Sequence, residues 1–164
     1  MITAALLHPD VSSSAVEPFR RVASDITFQE SPEISACLDA ALVFGGDGTI
    51  HRNLPELGRC GVPVLIVPKG SGNDFAKALG IANEAVALQA WSVFCSSHRN
   101  VREIDLGVIR KDAEEILFAC VAGIGLDSVA NARANRMPSW LRGSAVYLLA
   151  ALWTLPDRAC LIGC

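Results

Sequence analysis

Two glycine-rich stretches hold the residues of this chain best suited to chemistry. Gly45-Gly46-Asp47-Gly48-Thr49 and Pro68-Lys69-Gly70-Ser71-Gly72-Asn73-Asp74-Phe75-Ala76 each follow an apolar run and lead into a helix-like pattern. The runs, Ala40 to Phe44 and Val62 to Val67, are of the kind a buried parallel strand shows. Where each ends, glycines open φ values closed to other residues. Such a turn aims main-chain N–H groups outward at the start of a helix, where unpaired donors and the positive end of the macrodipole favour a phosphate. A lone pair of glycines more often marks nothing but a tight turn. Two of these turns, at the carboxyl ends of neighbouring strands, converge on one crevice. The second also brings Asn73 and Asp74, an amide and a carboxylate, to the start of the next helix.

The elements that would position these loops follow from the surrounding pattern. Ile2 to Leu7 reads as a first buried strand, followed by a turn at His8-Pro9-Asp10. Ser14-Ala15-Val16-Glu17 has the spacing of a capping box and predicts a helix to about Val22. Asp25 to Phe28 reads as a weak strand, and Ser31-Pro32-Glu33 as the opening of a short helix to Leu38. Helices are predicted from Thr49 to Leu57, from Asn73 toward Leu79, and from Glu84 to Ser97 with Val86, Leu88, Trp91 and Phe94 facing the core. From Val101 the alternation gives way to two adjoining strand-like runs, Val101 to Arg110 and Ile116 to Ala122, a hairpin around Lys111-Asp112-Ala113-Glu114. Helices are expected over Ser128 to Asn135 and Trp140 to Leu155. The expected architecture is α/β: a doubly wound, mainly parallel sheet flanked by helices over residues 1–100, then the incomplete start of a β-rich second domain over residues 101–164.

A chain of 164 residues that is 51% hydrophobic and 19% charged can bury a real core. Its 14 basic and 17 acidic residues give a formal charge of −3, which makes no electrostatic case for nucleic acid. The six cysteines include no Cys-x-x-Cys pair and stand mostly in apolar runs, so they read as reduced, buried small hydrophobes in a reducing compartment, the cytoplasm. The first ten residues lack the basic start of a signal peptide. Gly143 to Pro156, the longest uncharged stretch, falls short of the roughly 20 residues a spanning helix needs. If the hairpin keeps an apolar face exposed, the isolated chain should be prone to aggregate.

Taken together, the two glycine motifs resemble the catalytic domain of the diacylglycerol kinase, sphingosine kinase and bacterial lipid kinase family. The first alone is shared with NAD kinases and 6-phosphofructokinases, whereas the Asn-Asp-Phe-Ala ending of the second resembles the lipid kinases more closely. Ile104-Asp105-Leu106-Gly107 and Phe118 to Asp127 resemble the family's next two landmarks, so the resemblance runs from about residue 2 to about residue 155. Three departures stand out: His8 where the family has Asn, His51-Arg52 where Asn-Glu is usual, and Cys120 where Asn is common.

The resemblance implies transfer of the ATP γ-phosphoryl group to a lipid hydroxyl such as that of diacylglycerol, with Mg²⁺ as the accompanying metal. It implies that Gly45, Gly46, Gly48 and Thr49 cradle the phosphates and that Gly70, Ser71 and Asn73 complete the pocket. Asp47, Asp74 and Asp105 are the implied catalytic carboxylates. A carboxylate beside phosphates repels them, so Asp47 is expected to act through Mg²⁺ or a water linking it to Asp74 and Asp105; the metal ligands themselves stay open. The family's acceptor-side base lies in an Asp-Gly-Glu type motif that these 164 residues do not contain, and the expectation is a nucleotide-binding half with a second-domain stub. Implied partners are ATP and a lipid at the inner membrane face, with a homodimer left open. A non-catalytic nucleotide-binding module and an NAD kinase are the competing readings.

Overall fold

The computed structural model describes residues 2–7, 12–22, 25–29 and 38–120. All of these fall in one compact unit, Met1–Cys120, from which Val121–Cys164 divide as a second. The predicted turn at residues 8–10, the helix opening at residue 31 and the two helices after residue 127 lie outside the described residues.

Four strands, β1 (Ile2–Leu7), β2 (Ile26–Gln29), β3 (Ala40–Gly45) and β4 (Val64–Pro68), form one sheet in the order β2-β1-β3-β4. Every pairing is parallel: Thr3 opposite Thr27, Leu6 opposite Leu42, Val43 opposite Ile66. The chain steps outward from β1 to β2, then crosses back over β1 to β3 and on to β4. That reversal is the doubly wound topology expected from the sequence. It places a switch point between β1 and β3, where α/β sheets open a crevice at their carboxyl ends.

Covering helices explain why β3 is buried along its whole length. Because successive side chains point to opposite faces, Ala40, Leu42 and Phe44 pack on one side with Val16, Phe19, Ala87, Trp91 and Phe94. Ala41 and Val43 pack on the other with Ile50, Leu57, Phe75 and Ala76. The first side is supplied by helices α1 (Ser13–Arg20) and α4 (Glu84–Ser97), the second by α2 (Asp47–Cys60) and α3 (Asp74–Ala78). Trp91 is 1% exposed and donates from Nε1 to the Phe19 carbonyl at 3.1 Å, which joins α4 to α1 through the core.

Local chemistry corrects several expected boundaries. The Ser14–Glu17 capping box does not form: Ser12 is the N-cap, with no side-chain cap bond, and Glu17 pairs instead with Arg21 at 2.8 Å. Helix α2 begins two residues earlier than expected, with Gly46 as N-cap, and runs on to Cys60. It ends where Gly61 takes φ 63° and donates to the Leu57 carbonyl at 3.1 Å. Its interior Pro55 gives up one backbone donor, but Ile50, Leu54 and Leu57 keep the buried stripe that holds the helix down. The helix Glu84–Ser97 has the predicted bounds, with Asn83 Oδ1 accepting from Val86 N at 3.0 Å as its cap; its core face centres on Ala87 rather than Val86.

The hairpin is shorter than its apolar runs suggested. Strands β5 (Gly107–Lys111) and β6 (Glu114–Phe118) pair antiparallel around a two-residue turn in which Asp112 takes φ 55°. Leu106 and Leu117 lie against α2 at Gly58, where an added Cβ would meet them at 3.4 and 3.8 Å. Val108, Ile109 and Ile116 remain 39 to 45% exposed. Cys60 and Cys95 are half-buried and Cys120 is exposed, so the expectation of buried cysteines does not hold for the described three.

Candidate functional site

The carboxyl ends of β3 and β4 carry both glycine loops, side by side. Gly45 and Pro68 are register partners, and Lys69 N donates to the Gly45 carbonyl at 3.0 Å. One residue further on, the loops touch. A Cβ on Gly46 would lie 3.0 Å from Gly70 Cα, and a Cβ on Gly70 would lie 2.7 Å from Gly46 Cα. Only the absence of side chains lets these backbones come so near.

The first loop becomes α2 at once. Thr49 N and Ile50 N both donate to the Gly46 carbonyl, at 2.9 and 3.2 Å, and no side chain caps the N-terminus. The helix therefore presents first-turn N–H groups that it cannot satisfy itself. Beside them Gly48 is exposed, and a Cβ there would meet nothing within 4 Å. Thr49 is buried, folded back over Gly45, where an added Cβ would come within 2.5 Å of its Oγ1.

Asn73 organises the second loop. It takes left-handed φ 55°, ψ 40°, a conformation its short amide side chain tolerates. That side chain closes back on the loop: Oδ1 accepts from Gly70 N at 2.9 Å, and Nδ2 donates to the Gly70 carbonyl at 2.6 Å. Asn73 therefore does not cap α3 although it stands at the N-cap. Asp47 takes over that task from the first loop. Its Oδ2 accepts from Asp74 N and its Oδ1 from Phe75 N, both at 3.0 Å.

Of the residues singled out from sequence, Gly45, Gly46, Gly48, Thr49, Asp47, Gly70, Asn73 and Asp74 come together in this way. Ser71 lies exposed within the second loop. Asp74 turns its own carboxylate outward, 75% exposed, with Lys77 Nζ at 3.4 Å. Asp105 is exposed and makes no hydrogen bond or ion pair with Asp47 or Asp74; its neighbour Leu106 lies near Gly58, toward the far end of α2. Among the described residues no three acidic, His or Cys side chains gather as a metal site. Lys69 is paired with Glu84 at the start of α4, and His51 and Arg52 are exposed on α2. Neither the Asp47 cap nor the Lys69–Glu84 pair was foreseen, since each joins residues far apart in sequence.

Two glycine loops locked together at the carboxyl ends of adjacent strands, next to a topological switch point, define a doubly wound α/β domain. The family model of the diacylglycerol kinase catalytic domain matches residues 15–109, and the chain belongs to that family. It is 36% identical over 121 residues to a "Diacylglycerol kinase" of Mycobacterium tuberculosis, covering 70% of this chain and 36% of that protein. It is 34% identical over 110 residues to a "Probable lipid kinase YegS-like" of Pseudomonas aeruginosa, covering 66% of this chain and 33% of that protein. The chain thus spans about a third of the length of these relatives. No solved structure matches it. Among the described residues no helix is long and apolar enough to cross a membrane.

Proposed function

We propose that this chain binds the polyphosphate of ATP and serves a kinase that transfers the γ-phosphoryl group to a lipid hydroxyl. The contact between Gly46 and Gly70 carries the reading, because it sets the second loop against the uncapped N-terminus of α2, whose first N–H groups have no intrahelical acceptor. The space is compatible with a nucleotide: a Cβ on Gly48 would meet no neighbour, and the α2 N-terminus has no side-chain cap competing for an incoming phosphate. Phosphoryl transfer asks the protein chiefly for positioning and charge stabilisation.

In this reading Gly46, Gly48 and Thr49 meet the phosphates from the first loop, with Gly45 allowing Thr49 to fold over it. Gly70, Ser71 and Asn73 close the pocket from the second. Mg²⁺, when bound, supplies neutralisation of the phosphate charge. Asp74 is the exposed carboxylate at the loops proposed to meet it, alongside the nucleotide's own oxygens; Asp105, next to Leu106 toward the far end of α2, stands apart from them. Residues 101–120 are proposed to open the second, β-rich domain, and the reaction is placed where cytoplasmic ATP meets a lipid surface. The names of the relatives favour a lipid over NAD as acceptor.

Incubation with γ-labelled ATP, Mg²⁺ and diacylglycerol in mixed micelles tests the reading, with NAD as the parallel acceptor. Label in phosphatidic acid supports it. ATP binding without transfer leaves the nucleotide module, label in NAD makes the chain an NAD kinase, and failure to bind ATP removes the reading altogether.

A further inference from the structure

We infer that Asp47 is a positioning residue, a carboxylate that ties the second loop to the first through main-chain amides rather than by holding a metal. The inference rests on the phosphate reading of the two loops and assigns this side chain a different task from the metal-linked one expected of it. Both Asp47 oxygens are engaged by N–H donors, those of Asp74 and Phe75 at 3.0 Å each. Asp47 is also the first residue of α2, so one carboxylate stands between the N-terminal ends of two helices. A carboxylate accepting two amides is held more firmly than a surface side chain.

The geometry of α3 makes this link necessary. Its own N-cap residue is unavailable, because both polar atoms of the Asn73 amide are spent on Gly70. Without Asp47 the amides of Asp74 and Phe75 would lose their acceptor, and α3, five residues long, has little helical stability of its own. Asp47, the Lys69–Gly45 backbone bond and the Gly46–Gly70 contact together make one unit of the two loops. The arrangement also faces the negative charge of Asp47 toward amides, so the carboxylate need not oppose a phosphate at the α2 N-terminus.

The test compares the wild-type chain with Asp47→Ala, Asp47→Asn and Asp39→Ala. Asp39 Oδ2 accepts from Thr3 N at 2.8 Å at the opposite end of the sheet, so its removal controls for general destabilisation. Amide hydrogen exchange is read at Asp74 and Phe75, and ATP binding is measured across a range of Mg²⁺. In Asp47→Ala both amides should exchange on the order of tenfold faster or more, and ATP affinity should fall by about as much. Asp47→Asn, with one acceptor oxygen in place of two, should release one amide, lose less affinity and leave the Mg²⁺ dependence of binding as in the wild type. Asp39→Ala should change none of these. Wild-type exchange rates in Asp47→Ala would overturn the inference, as would faster exchange with full ATP affinity, or a raised Mg²⁺ requirement in Asp47→Asn. If the wild type fails to bind ATP, the nucleotide reading falls, while exchange at Asp74 and Phe75 still decides whether Asp47 makes the link.

Discussion

Gly46 and Gly70 come so close that a methyl group on Gly70 would sit 2.7 Å from Gly46 Cα and 2.9 Å from Asn73 Oδ1. Both neighbours are held in place, the first by its strand and helix, the second by its bonds to Gly70, so neither can yield without opening the loops. Gly70→Ala should cost about 1–3 kcal/mol of stability, in line with other overpacked sites. It should also weaken ATP binding by more than that loss alone explains. Chemical denaturation and calorimetric titration of one sample check both.

Gly48→Ala should behave in the opposite way. The added Cβ meets nothing within 4 Å and occupies the first turn of α2, where alanine is a better helix former than glycine. Thermal stability should hold or rise by up to about 1 kcal/mol. ATP affinity should nevertheless drop, because the methyl group enters the space proposed for phosphate.

Asn73 separates backbone strain from side-chain bonding. Asn73→Gly keeps the left-handed conformation free of strain and loses only the two bonds to Gly70. Asn73→Ala loses the bonds and adds the cost of φ 55°, so it should be less stable than Asn73→Gly by about 1 kcal/mol. Equal midpoints in denaturant would count against the conformational part of the argument.

Cys95 offers a pH-dependent signature of the core. Partial burial on α4, where Cys95 packs against the core, reinforced by the charge of Asp25, pushes its thiol up to about 11 from 9.0. The folded state thus favours the protonated thiol. That contribution is fully present below pH 9 and is lost as pH rises through the interval from 9 to 11. Stability should decline across that window, less steeply in Cys95→Ala. At pH 8 an alkylating reagent should modify exposed Cys120 well before Cys95, as peptide mapping would show.

On the hairpin, Ile109 and Ile116 are register partners on one face and are 39% and 45% exposed. Replacing both with Thr should lower light scattering of concentrated samples and leave the unfolding midpoint within about 0.5 kcal/mol, as surface changes do. An unchanged scattering profile would mean that this face does not drive self-association.

The sheet was legible because its central strand β3 is buried on both faces and so writes itself as a continuous apolar run, Ala40 to Phe44, and because the other strands also stand out as short apolar or β-branched runs. Glycine-rich interruptions marked the loops at the right strand ends. The Ser14–Glu17 capping box misled because its spacing fits a cap whether or not Ser12 is free to begin the helix first. What pattern could not show was which partner each polar side chain would choose. Asp47 and Phe75 lie 28 positions apart, and Asn73 reads as a cap until its side chain is seen bonding to Gly70. Long-range pairs of this kind leave no periodic trace.

The most direct test is an amide NMR titration of the isotope-labelled chain with Mg-ATP, following the loop signals of Gly46 to Thr49 and Gly70 to Asp74. If one polyphosphate binds both loops, the two sets of resonances should shift together and saturate along a single curve. Shifts confined to one loop, or none at millimolar nucleotide, would contradict a shared phosphate site.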